Sequence, residues 1–122
     1  MFPRHENWMA YAEVADLTPY RTLALEGGRV TAICDVNQRN LASARERIAQ
    51  AYGSPDVKVH TDLRELNADP SIDAVLMALP VHWHSLAALD SIGRGKHMYH
   101  EKPMGMSFEE ARRVRAAASQ KK

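Results

Sequence analysis

The sequence has one cysteine, almost no net charge and no long apolar run. The lone Cys34 excludes an internal disulfide, which is typical of a reducing compartment, so we expect a cytoplasmic protein. A net charge of +1 provides no basic field for nucleic acid or an anionic membrane, and neither is expected as a partner. The longest apolar run, at 74–81, is far shorter than the ~18 residues of a membrane helix.

The composition is that of an ordinary globular domain. Of the 122 residues, 45% are hydrophobic and 25% are charged. A chain of this length can bury roughly two thirds of its unfolded surface, which is enough for one core. The composition therefore excludes general disorder, and the length excludes two full-sized domains.

Strands alternate with helices along the chain. Residues Arg29–Val36 form a mostly apolar, β-branched run, which predicts a buried strand ending in the acid Asp35. Apolar residues then recur at helical spacing from Asn37 to Gly53, which predicts an amphipathic helix. The same patterns predict strands at Val57–His60, Asp73–Leu79 and His97–His100, and helices at about Asp62–Asn67, at about Ser85–Ile92 and after the capping residue Ser107. This alternation predicts an α/β fold with a parallel sheet and helices on both faces.

Three groups of polar residues lie at the predicted carboxyl ends of strands, where parallel sheets bind ligands. They are Asp35, the segment Pro80–His84 and the segment Glu101–Pro103. An acid that closes the second strand of a dinucleotide fold accepts hydrogen bonds from both hydroxyls of the adenosine ribose. On local sequence alone, Asp35 is equally well explained as a residue that begins the turn or caps the following helix.

Five segments carry a family resemblance. They are VTAICDVN at 30–37, HTDLREL at 60–66, DPSIDAV at 69–75, LPVHWHS at 79–85 and GKHMYHEKPM at 95–104. In this order and at this spacing, they resemble the Gfo/Idh/MocA family of glucose-fructose oxidoreductase, inositol dehydrogenase and related enzymes. The resemblance covers about residues 20–117, and it implies an N-terminal Rossmann domain that binds NAD, with NADP possible.

The resemblance also implies roles for individual residues. Asp35 would hold the adenosine ribose, Pro80 and His84 would line the loop beside the nicotinamide, and Lys102 would be catalytic, lying between nicotinamide and substrate. An ammonium there stabilises charge on the reacting oxygen, whereas without the surrounding motif Lys102 would be interpreted as a solvated lysine. The full set of implied cofactor-binding residues is Asp35, Asn37, Arg39, Pro80, His84, Glu101, Lys102 and Pro103.

Other reactive side chains are interpreted more simply. His97 and His100 point to opposite faces of a strand, so no metal site is expected from the histidines. Cys34 is interpreted as a core residue, and Trp83 as a loop anchor rather than a stacking platform. The Lys102–Pro103 bond is predicted to be cis, because the resemblance places a tight turn there and X-Pro bonds adopt cis at low cost.

The chain departs from the family in two ways. The G-x-G-x-x-G loop should lie about 20 residues before Asp35, but NWMAYAEVADLTPYR contains no glycine. The family's C-terminal domain, which supplies most of the substrate pocket, is also missing. We therefore expect an N-terminal arm at 1–16 and a partial Rossmann-like domain at 17–122, with the first strand missing or replaced. Because residues 7–17 lack strand alternation, a sheet of four strands is predicted.

Two functional hypotheses follow. The first is an NAD(P)-dependent oxidoreductase that transfers hydride to or from a sugar, inositol or related polyol. The chain would be an incomplete nucleotide-binding domain of this enzyme and inactive alone, and a homo-oligomer is one partner arrangement that this hypothesis allows. The second is a non-catalytic Rossmann-like remnant that packs on a partner chain or binds nucleotide weakly. A flavodoxin-like receiver domain is disfavoured, because Asp35, Val36 and Asn37 do not supply the acidic cluster that receivers need.

Overall fold

The computed structural model describes residues 8–12, 29–54 and 56–121, the first of these ranges at the level of the backbone. The described strands are β1 Trp8–Ala12, β2 Val30–Cys34, β3 Lys58–His60, β4 Ala74–Ala78 and β5 His97–His100. The described helices are α1 Gln38–Tyr52, α2 Leu63–Ala68, α3 Val81–Gly93 and α4 Phe108–Gln120. Strands and helices alternate from β2 onward, as the sequence predicts.

The strands form one parallel sheet in the order β3-β2-β1-β4-β5. This is the strand order of the Rossmann fold over its first five strands. The carboxyl ends of all five strands lie at the same edge of the sheet, because every pair is parallel. The predicted fold class, an α/β Rossmann-like sheet, is confirmed.

The predicted four-stranded sheet is wrong, because β1 lies at its centre. Trp8 is in register with Val30 of β2 and with Ala74 of β4, and Ala12 is in register with Ala78. A central strand of a parallel sheet is typically a continuous apolar run rather than an alternating one, and WMAYA is such a run. Alternation was therefore the wrong criterion. The rest of the predicted arm at 1–16, and residues 17–28 of the predicted domain, lie outside the described residues.

Local sequence signals determine where the helices begin and end. Asn37 caps α1, because its side chain accepts a hydrogen bond from the backbone N–H of Arg39 at 2.9 Å. Gly53 ends the helix in the left-handed conformation, with φ of 70°, which a residue without Cβ adopts readily. Ser107 caps α4 through the N–H of Glu110, as the capping-box motif predicts.

Helix α3 begins four residues before the predicted start at Ser85. Pro80 has φ of −53°, close to the helical value, and its carbonyl accepts the N–H of Trp83 at 2.9 Å. The helix therefore follows the strand after two residues, and the segment His82–His84 is helical rather than a loop.

The sheet is packed on both faces. On one face, Leu41, Ala44 and Ile48 of α1 pack with Ile33 and Leu76. On the other, residues of α2, α3 and α4 pack with alternate residues of β2 and β4: Ala32, Cys34, Leu66, Val75, Met77, Ala87, Ala88, Ile92 and Val114. Residues 75–77 of β4 are all buried, as expected for a strand covered on both sides. No described helix is long and apolar enough to cross a membrane.

Two leucines provide a test of this packing. Leu66 of α2 is fully buried, whereas Leu86 of α3 is 59% exposed. We expect Leu66→Ala to lower the free energy of unfolding by about 2–5 kcal/mol, because it leaves a cavity. The matched variant Leu86→Ala should change it by less than about 0.5–1 kcal/mol. Urea unfolding followed by circular dichroism measures both; equal effects of the two variants would contradict the assignment of Leu66 to the core.

Candidate functional site

A cleft of about 570 Å³ lies beyond the carboxyl ends of β2, β3 and β4. One wall follows β2 and β3, and the other is one face of α3 with the two residues before that helix. The lining residues are Cys34, Asp35, Val36, Thr61, Asp62, Leu63, Arg64, Leu79, Pro80, Trp83, Leu86 and Asp90. This is the edge at which open parallel sheets bind their ligands.

Asp35 stands at the cleft with its carboxylate held in place. Its Oδ1 accepts the backbone N–H of Asn37 at 2.8 Å, and its Oδ2 accepts the side-chain amide of Asn40 at 2.9 Å. Asp35 itself continues the sheet, since its N–H donates to the carbonyl of His60 at 3.2 Å. Each carboxylate oxygen can accept a second bond. The residue therefore both begins the turn into α1 and keeps acceptor capacity for a ligand.

A second carboxylate in the cleft is neutralised by its neighbour. Asp62 caps α2 and accepts hydrogen bonds at 2.9 Å from both the backbone N–H and the side-chain Nε of Arg64. The side-chain hydrogen bond from Arg64 is the main cause that lowers the pKa of Asp62 to about 2. The pair brings no net charge to the cleft. Of the two other acids on the described lining, Asp90 is paired with Arg94, whereas Asp35 is held by the neutral amides of Asn37 and Asn40.

One face of α3 forms the opposite wall. Trp83, Leu86 and Asp90 follow each other at spacings of three and four residues, which places them on the same face of a helix. Trp83 is 46% exposed and lies beside Leu79 and Pro80 in the cleft. Its indole belongs to the cleft wall, which the interpretation as a loop anchor did not include.

His84 ties two loops together beneath this wall. The residue is 2% exposed; its Nε2 accepts the N–H of Leu79 at 3.1 Å, and its Nδ1 donates to the carbonyl of Pro103 at 2.5 Å. An acceptor at Nε2 and a donor at Nδ1 describe one neutral tautomer. The ring of His100 packs edge-on against it at 4.6 Å. His84 thereby fixes the turn after β5 to the end of β4.

The predicted site residues are divided among several positions. Asp35 and Pro80 line the cleft, whereas Asn37 and Arg39 lie at the start of α1 and are not part of the cleft lining. The turn Glu101–Pro103 follows β5 and is not part of the cleft lining, and Lys102 is exposed there. The Lys102–Pro103 bond is cis, as predicted.

Several of the residues that line the cleft were not predicted from the sequence. Candidate residues were predicted at the ends of three strands but not at the end of β3, where Thr61 and Asp62 lie. The same rule applied to the predicted strand Val57–His60 would have found them. Leu86 and Asp90 were missed because the predicted helix began at Ser85, which hid their spacing from Trp83.

Cys34 lies at the floor of the cleft and is 6% exposed, which agrees with the prediction of a core residue. Burial is the main cause that raises the pKa of its thiol to about 12, so the reactive thiolate is disfavoured. Among residues 29–54 and 56–121, no three His, Cys, Asp or Glu side chains lie close enough together to hold a metal ion.

The strand order and the cleft define a Rossmann-type dinucleotide-binding domain. Its apolar walls suit a flat heterocycle, and the Asp35 carboxylate at its edge suits a pair of sugar hydroxyls. The chain belongs to the Gfo/Idh/MocA oxidoreductase family, whose model, described as an oxidoreductase family with an NAD-binding Rossmann fold, matches residues 5–122. The resemblance and the NAD(P) cofactor expected from the sequence are thereby confirmed.

Curated relatives match the same region. The chain is 38% identical over 89 residues to an α-N-acetylgalactosaminidase from Shewanella oneidensis, a match that covers 70% of this chain and 19% of the relative. It is 37% identical over 94 residues to an uncharacterised oxidoreductase from Rhizobium meliloti, covering 75% and 26%. The chain thus spans about a fifth of the length of the first relative and about a quarter of the second.

Solved structures share the fold. A probable dehydrogenase from Thermotoga maritima superposes with a TM-score of 0.81 at 23% identity, covering 94% of this chain and 33% of that one. The scyllo-inositol dehydrogenase of Lactobacillus casei, solved with NAD(H) and scyllo-inositol, gives 0.80 at 19%, covering 94% and 33%. A Bordetella pertussis dehydrogenase, solved with NADH and UDP-GlcNAcA, gives 0.79 at 23%, covering 97% and 35%. At these identities the likeness shows the fold alone.

The Asp62–Arg64 pair predicts a specific titration. Because the folded pKa of Asp62 is lowered, the pair stabilises the fold above about pH 4, and that contribution is lost as the pH falls toward about 2. We expect Arg64→Met to raise the Asp62 pKa toward its ordinary value, whereas Arg113→Met on α4 should leave it unchanged. Carbon NMR of the Asp62 carboxyl group as a function of pH measures this pKa. The same Asp62 pKa in Arg64→Met as in the wild type would contradict the pairing.

Proposed function

We propose that this chain is the cofactor-binding part of an NAD(P)-dependent oxidoreductase that transfers hydride to or from a sugar, inositol or related polyol. The observation that carries the proposal is Asp35, an acid at the end of β2 that faces the carboxyl-edge cleft in a chain of the Gfo/Idh/MocA family. A reducing compartment, the cytoplasm, is part of the proposal because the sequence has one cysteine.

The cleft is proposed to hold the adenosine half of the cofactor. Asp35 would accept hydrogen bonds from the ribose hydroxyls, and the apolar side chains of Leu79 and Trp83 would flank the adenine. The neutral Asp62–Arg64 pair leaves Asp35 as the charged group nearest the ribose.

The other half is proposed to lie over β4 and β5. Nicotinamide supplies the chemistry of hydride acceptance and donation. Pro80, Glu101 and Pro103 would form its surroundings, and His84 would hold the two loops in register through Leu79 and Pro103. His84 is buried, so its proposed role is to position the loops rather than to contact the cofactor.

Lys102 is the proposed catalytic residue. It is exposed at the turn after β5, where its ammonium could reach a substrate placed over the sheet edge. A Lys⁺ that donates to the reacting oxygen stabilises the charge that develops there as the C–H bond is formed or broken. The turn that carries it is anchored by the Glu101 N–H, which donates to the carbonyl of Met77 at 2.9 Å.

The substrate class rests on what similar proteins bind. One structural neighbour was solved with scyllo-inositol and another with UDP-GlcNAcA, which supports a polyol or sugar. A second candidate comes from the curated relatives at 37–38% identity, several of which are glycosyl hydrolase family 109 proteins. One of these relatives is an α-N-acetylgalactosaminidase, which favours an α-N-acetylgalactosaminide as substrate, with cleavage of its glycosidic bond as the net reaction.

The proposed function predicts how tightly the 122-residue chain binds its cofactor. Because residues 1–26 contain no glycine to let the backbone approach the pyrophosphate, we expect NAD to bind with Kd above about 1 mM. Isothermal titration measures the affinity, and nitrogen–proton NMR locates the site. Shifts should be confined to residues around the cleft and should vanish in Asp35→Ala, but not in Asp56→Ala, which alters an exposed loop acid.

Two outcomes would contradict these expectations in different ways. A micromolar Kd would show that groups other than a glycine loop hold the pyrophosphate, and the expectation of weak binding would be wrong. A complete absence of shifts around the cleft at millimolar NAD would favour the alternative of a remnant that packs on a partner chain.

Another prediction concerns Lys102 and is tested in a catalytically active protein that contains this domain. Lys102→Met should lower kcat while leaving the affinity for NAD within a few-fold, because the ammonium acts on the reacting oxygen rather than on the cofactor. The control Lys58→Met removes a lysine that pairs with Asp69 and lies at the amino end of β3, away from the carboxyl edge of the sheet. An unchanged kcat in Lys102→Met would make Lys102 a solvated surface residue.

The same protein separates the two substrate classes. NADH formed from inositols or free sugars supports the dehydrogenase, whereas release of the aglycone from an α-N-acetylgalactosaminide, dependent on NAD, supports the second candidate.

A further inference from the structure

We infer that Asn40 is a positioning residue that holds the Asp35 carboxylate for an unphosphorylated ribose and thereby sets the preference for NAD over NADP. The inference rests on the proposed function. Asn40 is the third residue of α1 and is half-buried, with its side-chain amide 2.9 Å from Asp35 Oδ2.

The two donors to Asp35 approach different oxygens. Asn40 donates to Oδ2, and the backbone N–H of Asn37 donates to Oδ1 at 2.8 Å. A carboxylate accepts up to about four hydrogen bonds, two on each oxygen. Among the described residues, one acceptor position therefore remains on each oxygen, and a ribose presents two neighbouring hydroxyls. The backbone donor is fixed by the start of α1, so Asn40 is the side chain that fixes the rotation of the carboxylate.

The charge of the donor matters as much as its position. An amide orients Asp35 without neutralising it, whereas an Arg or Lys at position 40 would offset the charge. The full negative charge of Asp35 then opposes a 2′-phosphate at close range. Arg39 is the neighbouring residue in the same turn and is exposed. Its backbone N–H donates to the side chain of Asn37 rather than to Asp35.

Helix propensity separates this role from a merely structural one. Asn is a poorer helix former than Ala, so Asn40→Ala should not weaken α1 itself. The matched control is Gln38→Ala, two residues earlier on the same turn and exposed to solvent. A loss of cofactor affinity that occurs in Asn40→Ala but not in Gln38→Ala is therefore caused by the lost hydrogen bond to Asp35.

The experiment titrates the 122-residue chain and its variants with NAD and NADP, and follows the backbone NMR shifts around the cleft. Asn40→Ala should weaken NAD binding roughly threefold to tenfold, as expected from the loss of one charge-assisted hydrogen bond, and should weaken NADP binding less. The ratio of the Kd for NADP to the Kd for NAD, which measures the preference for NAD, therefore falls. Asn40→Lys should lower the ratio further by favouring NADP, and Gln38→Ala should leave it unchanged.

The outcomes distinguish the inference from the proposed function. Normal binding of NAD with an unchanged ratio in both Asn40 variants would overturn the inference alone. Equal losses for NAD and NADP in Asn40→Ala would also overturn it, because a general loss of structure moves both. If neither cofactor shifts any resonance of the wild-type cleft, the proposed function fails and the inference fails with it.

Discussion

The pairing of β1 with both β2 and β4 is the constraint on which the rest of the structure depends. Adjacent strands are about 4.8 Å apart, so β1 separates the ends of β2 and β4 by roughly 10 Å. Asp35 and Pro80, which follow those two strands, can therefore stand on opposite walls of one cleft. If β2 and β4 paired directly, the two walls would be neighbours and the space between them would close.

The same order separates the two ends of the proposed site. Asp35 follows β2 and Lys102 follows β5, and the strands are three spacings apart, or roughly 14 Å. No single small group can contact both residues. An extended ligand laid across the sheet edge can, which agrees with a dinucleotide whose adenosine lies near β2 and whose reactive ring lies near β5. The buried His84 joins the end of β4, through Leu79, to the turn after β5, through Pro103.

The acids of the cleft begin helices as well as line a site. Asp35 holds the first turn of α1 through Asn37 and Asn40, and Asp62 caps α2. The difference between them lies in the donor. Asp62 is paired with a guanidinium and is neutralised, whereas Asp35 is held by neutral amides and keeps its charge. The local capping explanation of Asp35 and the ligand-binding one are therefore compatible, since a carboxylate has acceptor positions for both.

The sequence by itself determined the elements whose signals are local. Asn37 and Gly53 bound α1, Ser107 begins α4, and the apolar runs at β2 and β4 identify buried strands, because caps and periodicity act within a few residues. The residues at the ends of β2 and β4 followed from the same patterns, whereas the family was indicated by the resemblance of five motif segments between residues 30 and 104. Only the tertiary structure decided that Trp8–Ala12 is the central strand, because its stability comes from backbone bonds to segments about 20 and 65 residues away, which local alternation does not record. It also decided which side chains share the cleft: Asp62, Trp83 and Asp90 come together because the sheet order brings α2 against α3, a contact between residues distant in the chain.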